Sequence, residues 1–258
     1  MELYEKVNLH SHIYRCHHAE GTVEEYVQEA IRHHVEVLGI SDHTPFPETM
    51  HMGTRMELSE LPDYIKEIED AREKYSQQIK ILKGLECDYT PSLVDFYREL
   101  KENYPFDYMI GSVHFLCEDG RIFDVFREPI DHKHMRLYTE NMLGNLDTDF
   151  FDLIAHPDLF FIQLEQWDSY AEDCVREMCR MAEEKHRIFE INVNGLLKPG
   201  KPYPNERFWR IVSDYHIRTI VNSDAHKVEH LCHNKEIGFQ IQQKYHLEQY
   251  CYPGISEA

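Results

Sequence analysis

Positive charge is scarce in this 258-residue sequence: 27 Lys and Arg stand against 47 Asp and Glu, a formal net charge of −20. A surface of that sign repels phosphate backbones and anionic lipid, which argues against nucleic acid or a membrane as the main partner. No uncharged stretch approaches the roughly 20 residues of a membrane span. The opening MELYEKVNLH carries no apolar run of signal-peptide length. The seven cysteines include no CxxC pair, so they read as reduced thiols of a cytoplasmic protein, most of them core residues. Glycines form no phosphate loop, and Ser112 lacks a nucleophile-elbow pattern. No linker, low-complexity tract or repeat divides the chain, so one domain over residues 1–258 is expected.

What is present is a rhythm. Seven short apolar runs read as buried strands: VNL (7–9), VEVLGI (35–40), IKILKGL (79–85), YMIGSV (108–113), FDLIA (151–155), RIFEINV (187–193) and IRTIVN (217–222). Helical patterns lie between them. Thr22 and Glu25 form a capping box before a face of Val23, Tyr26, Val27, Ala30 and Ile31. Ser169 and Glu172 suggest a second box, ahead of Ala171, Cys174, Val175, Met178 and Ala182. A third helix is expected over 59–77, with Leu61, Ile65, Ile68, Ala71 and Tyr75 on one face. Strands separated by helical crossovers imply an α/β fold with a parallel sheet. A closed barrel of seven or eight units fits better than an open sheet, although periodicity alone leaves both standing.

Histidine is the abundant residue, with 18 in the chain, and four fall within "HSHIYRCHH". Six of the seven strands run into a His, Asp or Glu: His10 and His12, Asp42 and His43, Glu86, His114, His156, Asp224 and His226. In a barrel those C-terminal ends share one face, where active sites are built. His18, in the first loop, can fold over the same mouth. Imidazole and carboxylate suit Zn, Mn and Fe, and nine such groups exceed what one ion needs. Two to three divalent transition-metal ions are expected, with Glu86 the natural shared carboxylate. His10 and His12 point to one side of an extended segment and suit one ion. His33, His34, His51, His132, His134, His186, His216, His230, His233 and His246 read as surface; His17 competes with His18, and Cys16 and Cys87 are neighbouring thiols.

NLHSH, CHH, ISDHTPFP, GLECDY, DYMIGSVHF, AHPD and NSDAHK, in that order, resemble the successive motifs of the PHP (polymerase and histidinol phosphatase) superfamily. SDHTPFP, TRMELSELPDYI and EINVNGLLKPGKPYPN are similar to its histidinol-phosphate phosphatase branch. The resemblance implies a distorted (βα)7 barrel with a trinuclear metal centre. One ion would take His10, His12, Glu86 and Asp224; a second Glu86, His114 and His156; a third His18, His43 and His226. Water activated by such a centre attacks phosphorus in line, with Asp224 orienting the nucleophile and Asp42 holding His43 through its other nitrogen.

The branch carries two phosphate-binding arginines that this chain lacks, and Phe160, Phe161 and Leu197 stand in their place. The remaining cationic candidates for substrate binding are Arg55, Arg121, Arg127, Lys198 and Lys201, with Arg55 and Lys198 preferred. The reading is a phosphomonoesterase with a small phosphorylated substrate, L-histidinol phosphate first, and a pocket biased toward a more apolar ester. A phosphatase for another phosphoester, an amidohydrolase-type C–N hydrolase and a non-catalytic metal-binding relative are the alternatives.

Overall fold

The computed structural model describes residues 6–47, 53–118 and 120–253; His51 lies outside them. All seven expected strands are present. They are β1 (Val7–Asn8), β2 (Val37–Ile40), β3 (Lys80–Asp88), β4 (Tyr108–Ser112), β7 (Leu153–Ile154), β8 (Ile188–Asn192) and β9 (Arg218–Asn222). They pair in parallel in the order β1-β2-β3-β4-β7-β8-β9. Past β1 and β9 the sheet meets itself: Ser11 bridges Ala225, and the His12 N–H donates to the Ala225 carbonyl at 2.9 Å. Lower down, side chains span this seam. The Leu9 N–H donates to Asn222 Oδ1 and the Ser223 N–H to Asn8 Oδ1, each at 2.8 Å. The result is a distorted seven-unit barrel.

Two features lack a counterpart in the sequence reading. A short strand, β10 (Glu248–Gln249), joins the N-terminal end of β9. Beyond it Tyr250 and Tyr252 pack on the barrel's inner apolar cluster, which includes Val7, Val37, Leu82, Tyr108 and Ile188. An antiparallel hairpin, β5 (Phe115–Glu118) and β6 (Arg121–Asp124), stands outside the barrel directly after His114.

The crossover helices that flank the site follow from their faces. α1 (Val23–Arg32) carries the expected capping box and buries Val23, Tyr26, Val27 and Ala30. α2 (Leu61–Lys74) buries Tyr64 where Ile65 was expected, because the Tyr64 hydroxyl reaches the carbonyls of Ile40 and Gly84 at 3.1 and 2.7 Å. α3 (Val94–Asn103) and α4 (His132–Asp147) follow β3 and the hairpin. α5 (Ser169–Glu184) buries its expected apolar set, but its cap is Asp168, whose carboxylate accepts from the Ala171 N–H; Ser169 is already the first helical residue. α6 (Glu206–Val212) and α7 (Lys235–Lys244) complete the ring.

Candidate metal centre

Parallel strands deliver side chains to one rim, and the nine expected ligands meet there. Glu86, near the end of β3, is the hub. Its Oε2 lies 3.0 Å from His43 Nδ1, 3.4 Å from His10 Nε2 and 3.5 Å from His12 Nε2. Its Oε1 lies 3.1 Å from His156 Nε2 and 3.4 Å from His114 Nε2. Asp224 Oδ1 lies 3.0 Å from His12 Nε2 and 3.5 Å from His10 Nε2. His18, His43 and His226 form a separate trio with converging nitrogens, and it is His18, not its neighbour His17, that joins it. Cys16 lies against His12 and His226, and could compete there. Cys87 instead contacts the Thr44 hydroxyl.

The tautomers decide whether cations fit. Nδ1 of His18 lies 2.8 Å from the Cys16 carbonyl oxygen, and Nδ1 of His226 lies 3.0 Å from that of Asp224. Carbonyl oxygens only accept, so both Nδ1 atoms carry protons and both neutral Nε2 atoms present lone pairs. Those lone pairs face each other at 3.0 Å. Burial holds both rings below their ordinary pKa, His226 well below it with His12 adding to the effect. Burial, then His12, also takes His43 down to about 4. Two facing lone pairs repel; an ion between them satisfies both. On the other side, burial pulls His10 and His12 down but neighbouring carboxylates overcome it and raise both rings well above the usual value. Burial would raise Glu86, yet His114, His10 and His43 hold it well below the carboxylate range. Metal would replace protons in that half of the site.

Supporting groups lock the rings. His10 Nδ1 donates to Glu190 at 2.8 Å, and His114 Nδ1 to Asp88 at 2.7 Å. Asn192 and Asn194 each donate to Asp224 Oδ2 at 3.1 Å, which leaves Oδ1 turned to His12 and His10 in the cluster. Asp42 corrects an expectation: its Oδ1 meets His12 Nδ1 at 3.3 Å, whereas it touches His43 only through the backbone N–H. The His43 ring has turned its Nδ1 to Glu86. His156 and Asp224 have φ of 26° and 47°, left-handed geometry that costs non-glycine residues about 1–3 kcal/mol and gathers at functional sites.

Glu190, Asp88, Asn192 and Asn194 were missed. Two of them were detectable: Asp88 shares a strand face with Glu86 at period 2, and Glu190 is a charge inside an apolar run, costly unless paired.

Above the cluster opens a cavity of about 400 Å³, lined by Thr54, Arg55, Phe115, Asp124, Phe126, Arg127, Asn194, Lys198 and Tyr203 besides the ligands. Lys198 and Arg55 are there. Arg55, though, is engaged: it donates to Asp88 at 2.8 Å and to the Thr44 carbonyl at 3.1 Å, and its guanidinium lies 3.7 Å above the Phe46 ring. Arg121 is not at the cavity; it pairs with Glu128 on the outer side of the hairpin, and Arg127 lines the wall instead. Phe160, Phe161 and Leu197 are also absent from the lining. Phe160 is fully buried in the core between Tyr138 and Phe208, Phe161 stacks on Trp167, and Leu197 is exposed. The expected apolar bias from these three residues has no basis in the cavity.

Comparisons with known proteins show the family and the fold. The sequence profile of the PHP domain matches residues 8–194. The probable histidinol-phosphatase of Deinococcus radiodurans is 30% identical over 247 residues, covering 90% of this chain and 88% of its own. The fold resembles the histidinol phosphate phosphatase of Lactococcus lactis, solved with zinc, L-histidinol and phosphate: TM-score 0.77, 20% identity, 95% of each chain. It likewise resembles the candidate histidinol phosphatase of Listeria monocytogenes: TM-score 0.79, 22% identity, 89% of this chain and 98% of the other.

Proposed function

We propose, for a chain that belongs to the PHP domain family, that it is a metal-dependent phosphomonoesterase acting on a small phosphorylated substrate, L-histidinol phosphate first. The observation that carries the reading is the pair of neutral imidazoles, His18 and His226, whose bare Nε2 atoms face each other at 3.0 Å beside a carboxylate-rich half-site. His10, His12, Glu86 and Asp224 would hold one ion, Glu86, His114 and His156 a second, and His18, His43 and His226 a third. Zinc, manganese and iron all suit these donors. Bound there, such ions supply water of lowered pKa and positive charge against the phosphoryl oxygens.

The protein's own groups do the rest. Asn192 and Asn194 fix Asp224 so that its Oδ1, turned to the cluster, can orient the attacking water and accept its proton. Lys198 and Arg127 stand at the cavity wall to meet the phosphate, and Asp124 pairs with Arg127 at 3.4 Å. The C–N hydrolase alternative wants a lysine at the centre of the site. Of the two lysines of β3, Lys83 is turned to Glu69 of α2 and Lys80 lies over the Tyr252 ring.

Phosphate release from L-histidinol phosphate and an aryl phosphate, and amide cleavage of an N-acyl amino acid, each with zinc, manganese and iron supplied separately, test the reading. Turnover of the phosphate esters with two to three ions per chain is expected. Hydrolysis of the amide alone, or one ion or none in the active protein, would overturn it.

A further inference from the structure

Among the described residues five tyrosines are less than 2% exposed: Tyr26, Tyr64, Tyr97, Tyr138 and Tyr203. Four spend their hydroxyl on a carbonyl. Tyr26 donates to Ala225, Tyr64 to Ile40 and Gly84, Tyr97 to Asp88, and Tyr138 to Pro157. Tyr203 is the exception: among the described residues its hydroxyl has no hydrogen-bond partner, and it lines the cavity above the metal ligands. Buried phenols in folded proteins nearly always find a partner. Here the partner has to come from the cavity.

We propose that Tyr203 is a catalytic residue whose hydroxyl donates a hydrogen bond to a non-bridging phosphoryl oxygen of the bound ester. The proposal rests on the phosphatase reading and supplies a neutral donor beside Arg55, whose Nη1 and Nη2 groups are turned to Thr44 and Asp88. The ring sits 6.2 Å from that of His156, centroid to centroid. Burial first, then Asp224, Asp158, Glu190 and Glu86, raise the phenol well above its usual pKa, so it keeps its proton and can only donate to an anion.

The surroundings hold it in place. A Cβ on Gly195 would lie 2.2 Å from the Tyr203 carbonyl oxygen and 2.5 Å from its ring, so that glycine makes room for the tyrosine. Asp158, two residues past His156, accepts from the Asn205 N–H at 2.7 Å and from Trp209 Nε1 at 3.1 Å, pinning the segment that carries Tyr203.

The test is Tyr203→Phe against Tyr138→Phe, a control whose hydroxyl is satisfied by Pro157 away from the cavity. Metal content, turnover of L-histidinol phosphate and binding of inorganic phosphate are measured on the metal-loaded proteins. A hydrogen bond to a charged acceptor predicts a ten- to hundredfold loss of kcat/KM and weaker phosphate binding in Tyr203→Phe, with metal content unchanged. Tyr138→Phe should keep both. Equal activity in Tyr203→Phe and wild type, or loss of activity only in step with loss of metal, overturns the role. Wild-type protein that neither turns over the ester nor binds phosphate overturns the phosphatase reading itself, and the proposal with it.

Discussion

Arg55 illustrates how a side chain at the right address can serve a different purpose. Its guanidinium reaches the cavity wall, but its two terminal nitrogens are turned to Asp88 and a carbonyl, and Asp88 in turn holds His114. It is therefore a positioning residue, acting on a metal ligand through a carboxylate. Second-layer partners of this kind typically change metal affinity ten- to a hundredfold. Arg55→Met is expected to weaken metal retention by that order, measured by metal titration, while KM at full occupancy moves little. A large rise in KM with metal content intact would make Arg55 a phosphate ligand after all. Glu86 gives a second prediction at this scale. Five histidines surround its two oxygens, whereas His18 belongs to one trio. Glu86→Ala should retain less activity than His18→Ala under saturating metal; the reverse order would remove Glu86 as the shared ligand.

The hairpin β5–β6 brings Phe115, Asp124, Phe126 and Arg127 to the cavity and leaves Arg121 on its far side. Arg127 is largely exposed, so its contact with a phosphate is worth about 1 kcal/mol at most. Arg127→Ala should raise KM about two- to fivefold, and Arg121→Ala should leave it unchanged; equal effects from both would mean the wall is misassigned. This element was invisible in the sequence because its four-residue strands bury one position each, unlike the barrel strands, which are buried on both faces. The same physics explains β10, too short for any period to show. The ligand positions were readable because parallel strands put their C-terminal residues on one rim. What holds the ligands was not: that Asp42 serves His12 rather than His43, or that Phe160 turns inward, depends on rotamers that spacing does not encode.

At the scale of the molecule, the two ends of the barrel do separate jobs. Tyr250 and Tyr252 cover the end opposite the metal ligands. Partly burying two tyrosines contributes about 2–3 kcal/mol, so truncation after Leu247 should lower Tm by roughly 5–10 °C and leave metal content unchanged. Loss of metal in the truncated protein would show the two ends to be coupled. The seam between β1 and β9 has a further consequence. His10, His12 and His18 stand on one side of it and Asp224 and His226 on the other, with His18 and His226 separated by 208 positions in the sequence. An ion held by both sides is a clasp that closes a ring of nearly the whole chain. Covalent closure of so long a loop is worth on the order of 5 kcal/mol through chain entropy alone, and a coordinate bond draws on the same source. Chelation should therefore unfasten the barrel at one place: hydrogen exchange at the His12 amide, which donates to Ala225 across the seam, should quicken well before exchange in β3 and β4. Uniform quickening throughout the sheet would show that the clasp is no stronger than the rest of the ring.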